Sequence, residues 1–227
     1  MITYFHVIKA LEYLLDHAGE LHWRDWLRAD IDLWRSESDV SHHLNAYGGM
    51  GSLNDLWIST WDGRAISDPQ KAWINETLSL FRHLAFQMAN CLKKRKSGVL
   101  SRIAINKVLW TTRGNMQLDG WRCLNCGRLE TQINGIERFL AKEVLPVEIS
   151  RAKTESDLIS IVEMSFLSPQ SGVQKMREHV NAQIANSGIA VTERNGWMRP
   201  CPQCGSDNTE VCHWLRIRRR FALVVKH

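Results

Sequence analysis

The sequence predicts an α+β chain that is mainly helical. A helical N-terminal domain, about residues 1–96, precedes a sheet-bearing domain, about 99–227, with a helical insert at about 128–197. Three observations predict it. Apolar residues recur at helical spacing through the first ninety-odd positions. The run Lys93-Lys94-Arg95-Lys96-Ser97-Gly98 then closes that pattern. Beyond it, two C-x-x-C-G segments, Cys123 to Gly127 and Cys201 to Gly205, lie among stretches rich in β-branched and aromatic residues.

The elements follow in order. Tyr4, Ile8, Leu11, Leu15 and Ala18 form one helical stripe, and Gly19 supplies a stop. Trp23, Leu27, Ile31 and Trp34 share the face of a second helix. Ser36 to Asp39 is a polar break, and residues 40–47 add a short helical turn before Gly48, Gly49 and Gly51. Ser67-Asp68-Pro69 opens the clearest helix: Asp68 is the expected cap, and proline suits the first helical position because its missing N–H costs nothing there. Ile74, Leu78, Phe81, Ala85, Met88 and Leu92 then require a partner, which the two earlier helices supply. Val99 to Trp121 reads as extended. Within the insert, Thr154 and Asp157 have capping-box spacing before Leu158, Ile161 and Val162. Ser168-Pro169 opens a further helix carrying Val173, Met176, Val180 and Ile184, with Gly188 past its end. Val211 to Val225 reads as strand.

Composition excludes several classes. A hydrophobic fraction of 44% with 23% charged residues is that of a globular protein. The first apolar stretch is broken by His6, Lys9, Glu12 and Asp16, and no apolar run of about 18 residues occurs. Neither a secretory leader nor a membrane contact is expected, and a cytoplasmic location is the default. The formal charge of +5 is uneven: residues 1–92 carry 7 Lys/Arg and 12 Asp/Glu, whereas residues 93–227 carry 22 and 12. A basic half of this kind meets nucleic acid or an acidic protein surface.

The knuckles are the strongest motif. Cys123, Cys126, Cys201 and Cys204 offer four thiolates, the ligand set of a closed tetrahedral structural zinc (Zn2+) site with no open position for catalysis. The segments 119–130 and 198–215 resemble the two halves of a zinc ribbon, which implies that each knuckle sits on a β-hairpin. The 74 residues between the knuckles depart from the 15–20 of a compact module, so two unrelated pairs and a redox C-x-x-C are the rival readings. Cys212-His213 is a poor substitute, since neighbours on a strand face opposite ways. Cys212 and Cys91 read as buried thiols.

A second constellation is His42, His43, Tyr47, Gly48, Gly49, Gly51, Ser52, Asn54 and Asp55. The histidines can move protons or ligate metal, the glycine amides can hold an anion, and Asp55 can orient a histidine. The run is neither G-x-G-x-x-G nor a P-loop and lacks a phosphate-cradle lysine, so a tight structural turn is the plainer reading. The string from Gly19-Glu20-Leu21-His22-Trp23 to Trp26-Leu27, with His43-Leu44, Tyr47-Gly48-Gly49-Met50-Gly51-Ser52 and Asn54-Asp55-Leu56, resembles an uncharacterised family of small bacterial helical domains over about residues 5–92. The resemblance implies a bacterial source and a helical domain, and carries no chemistry.

The third feature is basic: Lys93, Lys94, Arg95 and Lys96, then Arg216, Arg218, Arg219 and Arg220 beside Trp214 and Phe221. Cations interleaved with aromatics suit the backbone and bases of DNA or RNA, while a helix end and a solvated strand edge are the structural reading. Six tryptophans (Trp23, Trp26, Trp34, Trp57, Trp61, Trp73) lie in the acidic front half. Any left exposed would favour a protein partner. The leading expectation is a non-enzymatic zinc protein that binds nucleic acid through its basic half. A protein-interaction module, toxin-neutralising or part of a defence or regulatory complex, is the alternative. An enzyme built on His42, His43 and Asp55 ranks third, because no complete catalytic motif is present.

Overall fold

The first helix, α1 (Tyr4–His17), buries Val7, Ile8, Ala10, Leu11, Leu14 and Leu15 almost completely, on more sides than one apolar stripe accounts for. The computed structural model, which describes residues 2–94, 117–167, 171–193, 200–217 and 220–224, gives the reason. α1 is packed by α2 (Leu21–Glu37), α4 (Asp68–Lys93) and α6 (Glu155–Phe166). The chain forms two compact units, one of Met1–Gly114 with Glu143–Ser168, the other of Asn115–Lys142 with Pro169–His227. Its class is α+β and mainly α.

In the first unit, α3 (Ser41–Asn45) and a 3-10 turn (Leu53–Asp55) lead to a small hairpin, β1 (Thr60–Trp61) and β2 (Arg64–Ala65), before α4. The caps are written in the sequence, with one change at α4. There Ser67, not Asp68, is the cap: its amide donates to Gln70 Oε1 (3.3 Å) and its hydroxyl accepts from the Gln70 amide (3.5 Å). At α6, Asp157 accepts from the Thr154 and Lys153 amides at 3.0 and 2.7 Å, the Lys153 contact being the leading cause that holds its carboxyl below the ordinary value. A buried pair, Thr77 Oγ1 to Ser165 Oγ (2.6 Å), ties α4 to α6. The segment 143–168, read from sequence as part of the rear domain's insert, therefore belongs to the helical unit: α6 offers Leu158, Ile161, Val162 and Phe166 to the core around α1. Periodicity reveals such an apolar face but not which neighbour covers it.

The second unit is a five-stranded sheet in the order β5-β4-β3-β6-β7. Its strands are β3 (Gln117–Cys123), β4 (Leu129–Gln132), β5 (Ile189–Thr192), β6 (Thr209–Ile217) and β7 (Arg220–Val224). β3 is central, antiparallel to β4 and to β6 in a register running from Gln117↔Leu215 to Cys123↔Thr209. β5 joins β4 in parallel, which needs a crossover, and the helical insert supplies it. The strand read over 211–225 is two strands, paired antiparallel. Two helices belong wholly or partly to this unit: α5 (Ile133–Arg151), which it holds as far as Lys142, and α7 (Ser171–Asn186). The guanidinium of Arg177 on α7 forks onto the buried Glu137 of α5 at 2.5 and 2.8 Å. Met176, expected in the core stripe of α7, is exposed.

One close approach fixes the centre of the sheet. A Cβ at Gly120 would run into the Glu130 carbonyl oxygen and the Trp214 indole. Backbone and a buried ring cannot both yield, so Gly120→Ala is expected to destabilise this unit by about 3 kcal/mol, the upper end for overpacking. Urea dependence of hydrogen exchange at the paired amides of β3 and β6 checks it. The extended segment read before 117, and the cations Arg95, Lys96, Arg218 and Arg219, lie outside the described residues.

Candidate metal centre

Both knuckles are made by the same local geometry. In the first, at the β3–β4 turn, the Cys123 amide donates to the Arg128 carbonyl (2.9 Å) and the Gly127 amide to the Cys123 carbonyl (2.9 Å). In the second, just before β6, Cys201 donates to Ser206 and Gly205 to Cys201, each at 2.8 Å. Gly127 and Gly205 close these turns at φ +74° and +70°, a left-handed conformation that favours glycine and explains the C-x-x-C-G spelling. A Leu124 amide to Asn208 carbonyl bond (2.9 Å) laces one knuckle to the other.

The sheet register then brings the four sulfurs together across 75 to 81 residues of chain. Cys123 Sγ lies 3.6 Å from Cys204 Sγ, Cys126 Sγ lies 3.6 Å from Cys201 Sγ, and all four sit within 4.8 Å of one another. These separations are far longer than a disulfide's roughly 2.05 Å, and the thiols are free. The cluster can hold one metal ion with four sulfur ligands. Asn125 Nδ2 donates to Cys204 Sγ at 3.4 Å, the leading cause that brings this thiol down to about 6. At Cys126 the Arg128 amide lowers the pKa, but burial and the three neighbouring sulfurs outweigh it and push the thiol up to about 12. Cys212 stands apart on β6 opposite Gly120, fully buried, and burial pushes it up to about 12. His213 bonds to Asp119 (2.6 Å). Cys91 is half-buried, where sequence read it as buried.

The basic residues divide. Lys93 and Lys94 end α4 in the first unit and are exposed, as is Arg220 on β7. Arg216 shares the face of β6 that carries Cys212 and Trp214, and its guanidinium lies 5.8 Å from the Phe139 ring centre. Trp214 and Phe221 are buried, and Phe221 meets Phe139 at 5.7 Å edge-on. The aromatics expected to interleave with those cations thus form the core beneath the sheet.

The histidine loop is organised by a residue that sequence reading missed. Asp30, on α2 and only 1% exposed, accepts from Nδ1 of both histidines: His42 at 2.5 Å and His43 at 2.8 Å. Asp55, expected to orient a histidine, instead closes a capping box on Ser52 (3.1 Å to its amide). His42 stacks on Trp26 at 4.3 Å. His43 is fully buried, and its Nε2 meets the Tyr47 hydroxyl (3.1 Å), which also reaches the Arg82 carbonyl (2.9 Å). Asn54 Nδ2 donates to the Tyr47 carbonyl (3.2 Å), while Gly48, Gly49 and Gly51 lie exposed between them. A lone aspartate among Arg24, Asp25, Arg28 and Asp32 reads as one more solvated charge. The helical offset of Asp30 from Leu27 and Ile31 is the signal that places it beside the buried stripe. Of the six front-half tryptophans, Trp73 is buried, Trp57 is 51% exposed and the others are half-buried.

Among the described residues, no helix is long and apolar enough to cross a membrane. A family model described as a domain of unknown function (DUF6966) matches residues 16–67. That stretch holds Asp30, His42, His43, Tyr47 and the glycine loop, and none of the four cysteines, so an uncharacterised domain family is what the front of the chain is similar to. No curated protein matches the chain, and no solved structure matches it.

Proposed function

We propose that this is a non-enzymatic protein whose second unit is a zinc-ribbon-type binding module, clamped by one structural Zn2+ and directed at nucleic acid. The convergence of four sulfurs carries the zinc. A regular tetrahedron with Zn–S bonds of about 2.3 Å has edges of about 3.8 Å. The Cys123–Cys204 and Cys126–Cys201 separations of 3.6 Å and the overall limit of 4.8 Å fit that figure with little adjustment. All-sulfur coordination favours zinc over magnesium or calcium and leaves no position for substrate, so the ion braces the fold. A knuckle on the β3–β4 hairpin facing a knuckle before β6 supports the ribbon reading, and thiolate ligands suit the reducing cytoplasm. The resemblance of residues 5–92 to small bacterial domains makes a bacterial source part of this reading.

Charge supports the choice of nucleic acid. The second unit holds thirteen Lys/Arg against seven Asp/Glu, a net of +6. With Trp214 and Phe221 committed to the core, the contact rests on phosphate neutralisation rather than base stacking. Metal analysis of protein purified without added metal should find one zinc per chain. Anisotropy titrations of labelled single- and double-stranded DNA and RNA should show binding that weakens steeply with salt. Replacing Arg218, Arg219 and Arg220 together by alanine should lower the salt slope by about three while leaving the zinc content unchanged. Absent or salt-insensitive binding rejects the nucleic-acid reading and leaves the zinc reading to stand on the metal analysis.

A further inference from the structure

The first unit contains a cleft of about 300 Å³ lined by Tyr47, Asn54, Ser79, Arg82, His83 and Phe86. It belongs to a different unit from the cysteines and owes nothing to them. Three polar side chains on one face of α4 line it, and their hydrogen-bonding capacity is largely unspent. Arg82 donates through Nη1 to the Leu53 and Leu56 carbonyls (2.5 and 3.4 Å). Its Nε and Nη2 groups have no acceptor among the described residues, and no carboxylate lies within ion-pair distance. Asp55, the acid close enough to feel its charge, is engaged by Ser52. Ser79 Oγ and the His83 ring also lack partners among the described residues. Burial pushes His83 below its ordinary value, which leaves a neutral imidazole able to donate or accept.

The other walls are flat and apolar. The rings of Tyr47 and Phe86 lie 4.8 Å apart at 48°. Tyr47 cannot swing away, because its hydroxyl is held between His43, itself fixed by Asp30, and the Arg82 carbonyl. A half-buried guanidinium without a counter-ion, beside a hydroxyl, an imidazole and a fixed aromatic wall, is a recognition site for an oxyanion carried on a flat ring.

We propose that this cleft binds a small molecule carrying a phosphate or carboxylate on a flat ring, the oxyanion on Arg82 with Ser79 and His83, the ring against Tyr47 and Phe86. Both oxyanions share the chemistry that a guanidinium reads, so the test carries an arm for each.

Isothermal titration of the full chain with phenyl phosphate and with benzoate is compared with their fragments, inorganic phosphate or acetate for the oxyanion and phenol for the ring. At least one of the two ring-bearing anions should bind ten or more times tighter than either of its fragments, and the stronger arm tells phosphate from carboxylate. Arg82→Gln should weaken that binding at least tenfold, the scale of one lost charged hydrogen bond. Because Arg82 also braces the Leu53 and Leu56 carbonyls, Ser79→Trp serves as the second variant. It fills the cleft without touching those bonds and should abolish binding with the melting temperature nearly unchanged. No binding of either probe at about 20 mM, or binding that survives Ser79→Trp, overturns the proposal. The stronger arm's oxyanion fragment binding as tightly as its ring-bearing anion overturns the part assigned to the ring.

Discussion

Cys201→Ser is expected to release the proposed metal ion and unfold the sheet of the second unit while the helices of the first remain. Two strands of the sheet are short. β4 and β5 have four residues each, and its packing depends on Leu118, Trp214, Phe221 and the covering residues of α5 and α7. A closed four-thiolate zinc site supplies folding free energy outright, on the order of 10 kcal/mol in small zinc modules, so losing it exceeds what such a core can absorb. Metal analysis should fall from one ion per chain to none. Hydrogen exchange should rise to the unfolded rate across 117–132, 209–217 and 220–224 and stay slow in α1. Cys212→Ser is the internal control, because that thiol is buried on β6 outside the cluster and its loss should leave the metal in place. A Cys201→Ser protein that still holds one full equivalent of metal with a protected sheet would exclude the four-sulfur site.

Asp30→Ala should be the most damaging single change in the first unit. It leaves Nδ1 of two histidines without an acceptor, one of them fully buried. Removing one member of a buried polar pair costs about 3–5 kcal/mol, and His43 accounts for most of it because His42 is a third exposed and can turn to water. The damage should spread to Tyr47, whose hydroxyl loses a fixed partner. Asp30→Asn, which keeps one acceptor oxygen, should cost less than half as much. Coupling Asp30→Ala with His43→Leu should recover part of the loss, since the orphaned donor disappears with the imidazole. Urea denaturation of the four proteins measures all of this. A cost below about 1 kcal/mol for Asp30→Ala would show that the histidines do not depend on it.

Local chemistry was readable from the residues, and long-range partnership was not. The Thr154–Asp157 cap, the opening of α4 at Ser67-Asp68-Pro69 and the knuckle turns are each decided within four or five residues, and each is present. Each half of the four-cysteine cluster was legible from its C-x-x-C-G spelling, while the 74 residues between the knuckles left their meeting to the fold. Asp30 was not, since its partners are twelve and thirteen residues away on another helix. Arg216 reads as a surface cation beside three more arginines, yet the register of β6 sets it on the same side as Trp214. Only strand parity, which a run mixing arginine and aromatic residues obscures, separates those roles. The allotment of 143–168 to the first unit was equally hidden, because an amphipathic helix advertises an apolar face without naming its neighbour.

The second unit is assembled from two stretches, Asn115–Lys142 and Pro169–His227, each giving two sulfurs to the cluster. That order has a consequence on the ribosome. The first cysteine pair emerges 75 residues ahead of its counterparts, a wait of about 4–15 s at ordinary rates of synthesis. During that interval β3 has no β6 beside it and any captured ion has only half its ligands. Completion of this half of the molecule therefore waits on the arrival of Cys201 and Cys204, which bring the third and fourth sulfurs to the cluster.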